Sequence, residues 1–150
     1  MIRKILLFLL VVLVIIQFFH PAKNISAGDQ PNALTKAYPI PESVDTILRK
    51  ACYDCHSNNT VYPWYSRVQP SAWFLANHIK NGKRHFNFDE FMTYPKDRQD
   101  HKLEEFEEMI EHDEMPLSTY KWMHTDARLT EQEKNVLLTW VKQLRAQVKG

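Results

Sequence analysis

Five consecutive residues, Cys52-Tyr53-Asp54-Cys55-His56, carry the most specific chemistry in this 150-residue chain. Two thiols separated by two residues can reach the two vinyl groups of one porphyrin and form thioether links. The histidine directly after the second thiol is then held under the metal, where an imidazole nitrogen can bind iron. Cys-x-x-Cys-His is thus the attachment signature of c-type haem, and no other common chemistry needs the trailing histidine at that position. The chain has two cysteines, both in this motif. A disulfide framework is excluded, and so is a zinc site built from four cysteines. A mixed cysteine and histidine zinc site stays open at this level.

A low-spin haem iron needs a second axial ligand, usually Met or His. The candidates are Met92, Met109, Met115 and Met123, with His78, His85, His101, His112 and His124. Met115 is favoured. It lies in a loop, and Pro116 stiffens that loop by fixing its own φ and restricting the residue before it. A stiff loop can hold a thioether on iron with little loss of entropy. The adjacent Met123-His124 pair is the rival. Met92 among aromatics and Met109 beside Ile110 sit where methionine usually fills core gaps. His101 and His112 lie among charges and read as solvated, and His78 reads as a satisfied helix residue. His85, beside Lys83 and Arg84, could bond a haem propionate. Trp64, Trp73, Trp122 and Trp140 read as core, several of them touching the macrocycle.

These residues need a compartment and a scaffold. Met1-Ile-Arg-Lys precedes an apolar run from Ile5 to Ile16, extended past Gln17 by Phe18 and Phe19. A helix of about 15 residues is roughly 22 Å long. That is short against the roughly 20 residues of a spanning helix and suits a signal h-region. Arg3 and Lys4 give an N-in orientation. Ile25-Ser26-Ala27 is a poor cleavage site, so an uncleaved anchor is favoured over a cleaved signal. Either outcome places the rest of the chain in the bacterial cell envelope, on the periplasmic side of the cytoplasmic membrane, where haem is attached covalently.

The expected organisation is a signal or membrane anchor over 1–19, a linker over 20–40 and a haem-binding domain over 41–150. The linker contains His20-Pro21, Gly28-Asp29-Gln30-Pro31 and Tyr38-Pro39-Ile40-Pro41, and reads as an extended tether that lets the domain swing. About 120 residues then suffice for one core. With 19 basic against 18 acidic residues the chain carries +1. It lacks the basic stripe that nucleic-acid binding requires.

Within the domain, Val44, Ile47 and Leu48 mark a first helix that runs into Cys52. An aromatic stretch, Tyr62-Pro63-Trp64-Tyr65, precedes a helix from about Ser71 that Gly82 is expected to end. Residues 84–96 read as irregular, anchored by Phe86, Phe88, Phe91, Met92 and Tyr94. A charged helix over 97–112 buries Leu103, Phe106 and Ile110. Glu114-Met115-Pro116-Leu117 opens a loop. Thr130 to Glu133 is a capping box. It starts a helix reaching about Ala146 with Val136, Leu137, Trp140, Val141, Leu144 and Val148 on one face. Repeats and strand alternation are absent, so the domain is expected to be mainly α.

The order of these parts resembles the plan of monohaem c-type cytochromes. More narrowly, it resembles the bacterial haem-binding domain family. The matching residues are Cys52–His56 with Ser57, Thr60 with Pro63-Trp64-Tyr65, Pro70-Ser71-Ala72-Trp73, His78, Gly82, Asn87-Phe88, Met115-Pro116-Leu117 with Tyr120, His124, and Leu129-Thr130 running to Trp140. They cover roughly residues 40–147. The resemblance implies a small cytochrome c-like helical domain around one covalent haem c on Cys52 and Cys55. It implies His56 as proximal ligand and Met115 opposite, and it implies no substrate. One departure concerns the helix crossing. Such cytochromes often cross their first and last helices through small or aromatic contacts, whereas the first helix here offers Val44 and Ile47 and no glycine.

The leading expectation is a membrane-tethered or periplasmic monohaem cytochrome that carries single electrons between redox partner proteins. It needs no general base or nucleophile and is therefore not expected to be an enzyme. The alternative is a haem-based sensor or gas-binding module with a labile sixth ligand. A thiol–disulfide oxidoreductase would need a thioredoxin-like βαβ pattern, which is missing. A c-type peroxidase usually carries two haems, and one attachment motif is present.

Overall fold

Apolar residues recur at helical spacing through most of the chain, and the computed structural model, which describes residues 1–150, is correspondingly helical. Seven α-helices follow one another: α1 (Ile2–Ile16), α2 (Glu42–Ala51), α3 (Tyr53–His56), α4 (Ser71–His85), α5 (Lys96–Glu111), α6 (Ser118–Met123) and α7 (Glu131–Lys149). Short 3₁₀ turns cover Leu34–Lys36, Trp64–Arg67, Phe88–Thr93 and Thr125–Ala127. There is no β-strand, and Ile25 with Asn59 forms an isolated bridge. The mainly α expectation holds.

Helix α7 begins where its capping box predicts. The Thr130 hydroxyl accepts from the Glu133 amide at 3.2 Å, and the Glu133 carboxylate accepts from the Thr130 amide at 2.9 Å. Glu133 also takes the ammonium of Lys50, which ties the start of α7 to α2. Leu137, Trp140, Val141, Leu144 and Val148 are buried, and the helix runs to Lys149, beyond the expected end. It lies antiparallel to α5, against buried Leu103 and Ile110. The charged face of α5 is not simply solvated. The Arg145 guanidinium forks onto Asp100 (2.9 Å), Glu104 (2.8 Å) and Glu107 (2.9 Å). A planar fork with several donors suits this arrangement better than a lysine would.

Helix α5 ends at Glu111, within one residue of the expected end. Asp113 takes φ 58°, a left-handed conformation that Asp tolerates better than most residues. The Asp113 amide bonds Ile110 O at 3.3 Å and the Glu114 amide bonds Met109 O at 3.0 Å, a Schellman closure without glycine. The Met115 amide bonds the same Met109 carbonyl at 3.1 Å. Lys134 of α7 holds the Asp113 carboxylate.

Three expectations are corrected. Helix α4 passes through Gly82 and ends at His85. Residues 118–123, past the loop opened by Met115 and Pro116, form α6. Residues 20–40 are not a free tether. Leu34 and Tyr38 are in the core, beside Phe86, Phe88 and Phe91. Asn24 donates to Ser57 O and to the Thr60 hydroxyl, both at 2.9 Å. The Asn58 side chain donates to Gln30 at 2.8 Å. The segment is a strap across the loop that follows the cysteines. Helix α1 stands clear with no buried residue, and no helix is long and apolar enough to cross a membrane.

Two outcomes follow. Thr130→Ala removes the cap of α7 and is expected to lower unfolding stability by about 1 kcal/mol, read from the denaturant midpoint. Arg145 holds the carboxyls of Asp100 and Glu104 below the usual carboxylate range. A carboxylate depressed in the folded state contributes stability above its unfolded pKa and loses it as pH falls through the folded value. Arg145→Gln is therefore expected to flatten the loss of stability below about pH 4, measured as unfolding midpoint against pH.

Candidate functional site

Cys52 is where α2 stops and the single turn of α3 begins. The amides of Cys55 and His56 both return to the Cys52 carbonyl, at 3.1 and 3.0 Å. This winding puts residues i, i+3 and i+4, the two thiols and the imidazole, on one side of a helical turn. Both cysteines are free. Burial, with the neighbouring Cys55, pushes the Cys52 thiol up to about 12. Burial, with Asp54, pushes Cys55 up to about 11. Neither is a thiolate near neutral pH, so the pair lacks the lowered pKa of a thiol-exchange site.

Helix α4 is the seat of the motif. A methyl group at Gly82 would stand 2.6 Å from the Cys55 carbonyl oxygen and 3.1 Å from its Cβ. A mid-helix glycine costs about 0.8–1 kcal/mol against alanine, and here it permits two backbones to touch. Four residues on, the chain leaves the helix at Phe86, whose amide still bonds Gly82 O at 2.9 Å. The Phe86 carbonyl then accepts from His56 Nδ1 at 2.9 Å. That bond fixes the ring and leaves Nε2 as the nitrogen for a metal, the arrangement metal-binding histidines usually show. Burial holds the His56 pKa below its ordinary value, which keeps the imidazole neutral, the form that ligates.

Asp54, between the cysteines, faces the other way and binds the surrounding loops. Its carboxylate accepts from the Val61 amide (2.9 Å) and the Tyr120 hydroxyl (2.8 Å), and its carbonyl accepts from the Thr60 hydroxyl (2.7 Å). Tyr120 lies on α6, so α6 is clamped to the motif. Its ring stacks on His124 with centroids 4.1 Å apart, and the Tyr65 hydroxyl lies 3.5 Å from His124 Nε2. Burial raises both phenols, and the Asp54 carboxylate raises them further.

Met115 is half-buried, against the core cluster. With Pro116, Trp122 and Leu129 it lines a cleft of about 520 Å³. Two large indoles are left in water on the segments flanking this region, Trp64 at 74% exposed and Trp122 at 78%. Of the other tryptophans only Trp140 is core. Exposed indoles of this size ask for an apolar partner. The donor set fits a haem: two thiols on one helical turn, an imidazole with one nitrogen already satisfied, and indoles without cover.

The remaining candidates divide. Met92 packs on the core, and Met109 serves through its carbonyl. His101 sits in water between Glu104 and Glu105. His78 meets the Phe74 ring at 4.3 Å. His85 is exposed at the end of α4, and Lys83 is engaged by Asn24 at 2.6 Å. No group of three His, Cys, Asp or Glu side chains could hold a metal ion, so the mixed zinc site has no support. The sequence did not point to Asn24, Asp54 or Phe86 as supports. Phe86 acts through its backbone, which no side-chain pattern reports.

The family model described as the haem-binding domain matches residues 11–143, most of the chain. No curated protein and no solved structure matches.

Gly82→Ala gives an outcome of definite sign. Helix propensity alone predicts a gain of about 1 kcal/mol. The contact with the Cys55 backbone predicts a net loss, of order 1–3 kcal/mol for forced overpacking. A lowered unfolding midpoint confirms the seat, and a raised one removes it.

Proposed function

We propose that this chain, which belongs to the haem-binding domain family, holds one haem c through Cys52 and Cys55 and passes single electrons between redox proteins on the periplasmic side of the cytoplasmic membrane. Bound there, the haem supplies a one-electron iron couple. The observation that carries the reading is the His56–Phe86 bond at 2.9 Å, which orients a neutral imidazole beside two thiols on one turn.

The chain's own residues do the rest. Cys52 and Cys55 would hold the haem covalently, and Gly82 lets α4 lie against that turn. His56 and Met115 would hold its iron. The Met115 amide is pinned to Met109 O, and Pro116 removes freedom from the loop. With a thioether and an imidazole as its ligands, the iron would have a higher potential than with two imidazoles. The chain is not an enzyme in this reading. The raised thiol pKa values and the absence of strands argue against thiol–disulfide exchange. Residues 1–19 tether the domain. An apolar helix with no buried side chain, behind Arg3 and Lys4, supports membrane insertion with the N-terminus inside.

One observation favours a second reading, a haem-based sensor with a labile sixth ligand. Tyr65, Tyr120 and His124 form a polar cluster by Cys55, and distal hydrogen-bond donors favour binding of small ligands.

Protein matured in a host able to attach haem c is expected to keep its colour after acid–acetone extraction, and extraction of all colour defeats the covalent reading. The spectrum is expected to be low-spin with a weak far-red ferric band from sulfur on iron. Met115→Ala is expected to abolish both. A low-spin state that persists in Met115→Ala moves the ligand to His124 or Met123. A high-spin ferrous form with tight CO binding in the natural chain selects the sensor.

A further inference from the structure

Five hydrogen bonds join the end of α1 to the approach and start of α4. Gln17 pairs with the Gln69 backbone in both directions, accepting from N at 2.9 Å and donating to O at 3.3 Å. The Gln69 side chain, in a residue only 1% exposed, donates to Phe19 O at 2.7 Å. The Trp73 indole donates to the same carbonyl at 2.9 Å. His20 Nε2 lies 3.2 Å from Arg67 O. An amide buried this deeply and bonded on both sides is a joint, not a hinge.

Around the joint the apolar side chains do not fold inward. Phe18, Phe19, Val68 and Trp73 are all exposed. They continue the surface of α1, whose residues from Ile5 to Ile16 are apolar on every side and never buried. A helix hydrophobic all round belongs in lipid or in a large core, and this one has no core around it.

Charge is segregated on the same segments. Residues 1–28 and 61–88 hold seven cations and no acid, so all 18 acidic residues lie elsewhere. None of the seven has a carboxylate partner, whereas Lys134, Lys142, Arg145 and Lys149 of α7 all do. On the domain side, Arg67, Lys80 and Arg84 are exposed.

We propose that this face is a membrane-docking surface whose occupant is the lipid bilayer, with Phe18, Phe19, Val68 and Trp73 in the interfacial layer and Arg67, Lys80 and Arg84 toward anionic headgroups. The proposal rests on the reading of α1 as membrane-inserted. Length favours lipid over a protein partner. The 15 residues of α1 span about 22 Å, against a hydrocarbon core of about 30 Å. No helix of the chain is long and apolar enough to close that gap. An apolar collar rigidly fixed at the end of α1 supplies the missing depth, and a tryptophan in that collar sits where membrane proteins concentrate it. Basic side chains without acids beside them are drawn to an anionic surface. The joint therefore sets the orientation of the domain. Gly82, under Cys55, lies nine residues beyond Trp73 on the same helix, about 13 Å along its axis. The motif is held at a fixed height above the bilayer.

The test uses the full haem-loaded chain in vesicles of phosphatidylcholine and phosphatidylglycerol that contain a lipid with a diazirine near its headgroup. After illumination, lipid adducts are mapped by peptide mass spectrometry. Adducts are expected in α1 and in residues 67–74, about fivefold above those in residues 96–111. Gln69→Ala is expected to lower adducts in 67–74 about threefold while those in α1 stay unchanged. Adducts confined to α1 overturn the docking surface, leave the patch to a protein partner and keep the membrane reading. Adducts absent from α1 as well overturn both. Where Gln69→Ala loses the haem spectrum and so fails to fold, the adduct distribution of the natural chain decides alone.

Discussion

The structure depends on one backbone contact, the approach of α4 to the Cys55 carbonyl at Gly82. Any side chain there would drive the two elements apart. Because it is absent, the same helix can deliver the Phe86 carbonyl to His56 one turn later. Spacing and ring orientation are thus set together. A wider crossing would leave His56 Nδ1 without its acceptor and cost a buried polar group its partner, of order 1–3 kcal/mol. The aromatic core serves the same contact from behind. Phe86 meets Phe88 edge-on at 4.6 Å and leans on Phe106 at 6.1 Å, and Phe106 meets Trp140 of α7 at 6.3 Å. The last helix therefore supports the Phe86 carbonyl through a chain of rings on α5 and at the end of α4. Helices α2 and α7 also meet directly, with Val44, Ile47, Leu48 and Ala51 buried on α2 and Lys50 bonded to Glu133.

What the sequence made legible was local. The capping box at Thr130, the stripe of α7 and the arrival of α2 at Cys52 all follow from residues a few positions apart, where propensity and period speak directly. What it hid was long-range or carried by backbone. Gly82 looked like a helix end because glycine usually marks one, and only the contact with Cys55, 27 residues earlier, gives the other reason. The end of α5 was marked by the Met115-Pro116 break, but the left-handed turn at Asp113 that closes it without glycine was not. Residues 20–40 looked like a tether because prolines and polar residues lack period. Their order comes instead from side-chain amides, Asn24 and Gln30, bonding residues 28 to 36 positions away. The motif itself was fully legible, since its five residues are contiguous. The geometry that orients His56 was not, because its partner is a carbonyl.

Met115 illustrates how a loop residue is placed without regular structure. Three constraints converge on its neighbours. Met109 O takes its amide, Lys134 holds Asp113 at the turn, and Tyr120 on the next helix reaches Asp54 inside the motif. The first two tie the loop to α5 and α7, and the third ties it to the cysteines. A loop held from both ends has little entropy left to lose when its side chain engages a ligand. The same clamp at Tyr120 brings His124 into a stack beside Cys55. One tyrosine thus governs both candidates for the sixth position, because the α6 helix that it fixes lies between them.

The rigid joint bears on the electron transfer proposed for this chain. A domain on a flexible tether can carry its redox centre to each partner in turn. A domain joined to α1 through Gln17 and the buried Gln69, and whose strap from Asn24 to Gln30 is bonded to the loop after the motif, cannot. In the proposed role, partners would have to come to it. The charged surface away from the joint is largely spent within the fold, since Asp100, Glu104, Glu107 and Glu111 are taken by Arg145, Lys142 and Lys149. Long-range steering by a bare acidic patch on α5 is therefore weak. In the proposed role, the exposed indoles Trp64 and Trp122 offer apolar surface on which a redox partner would dock without moving the joint.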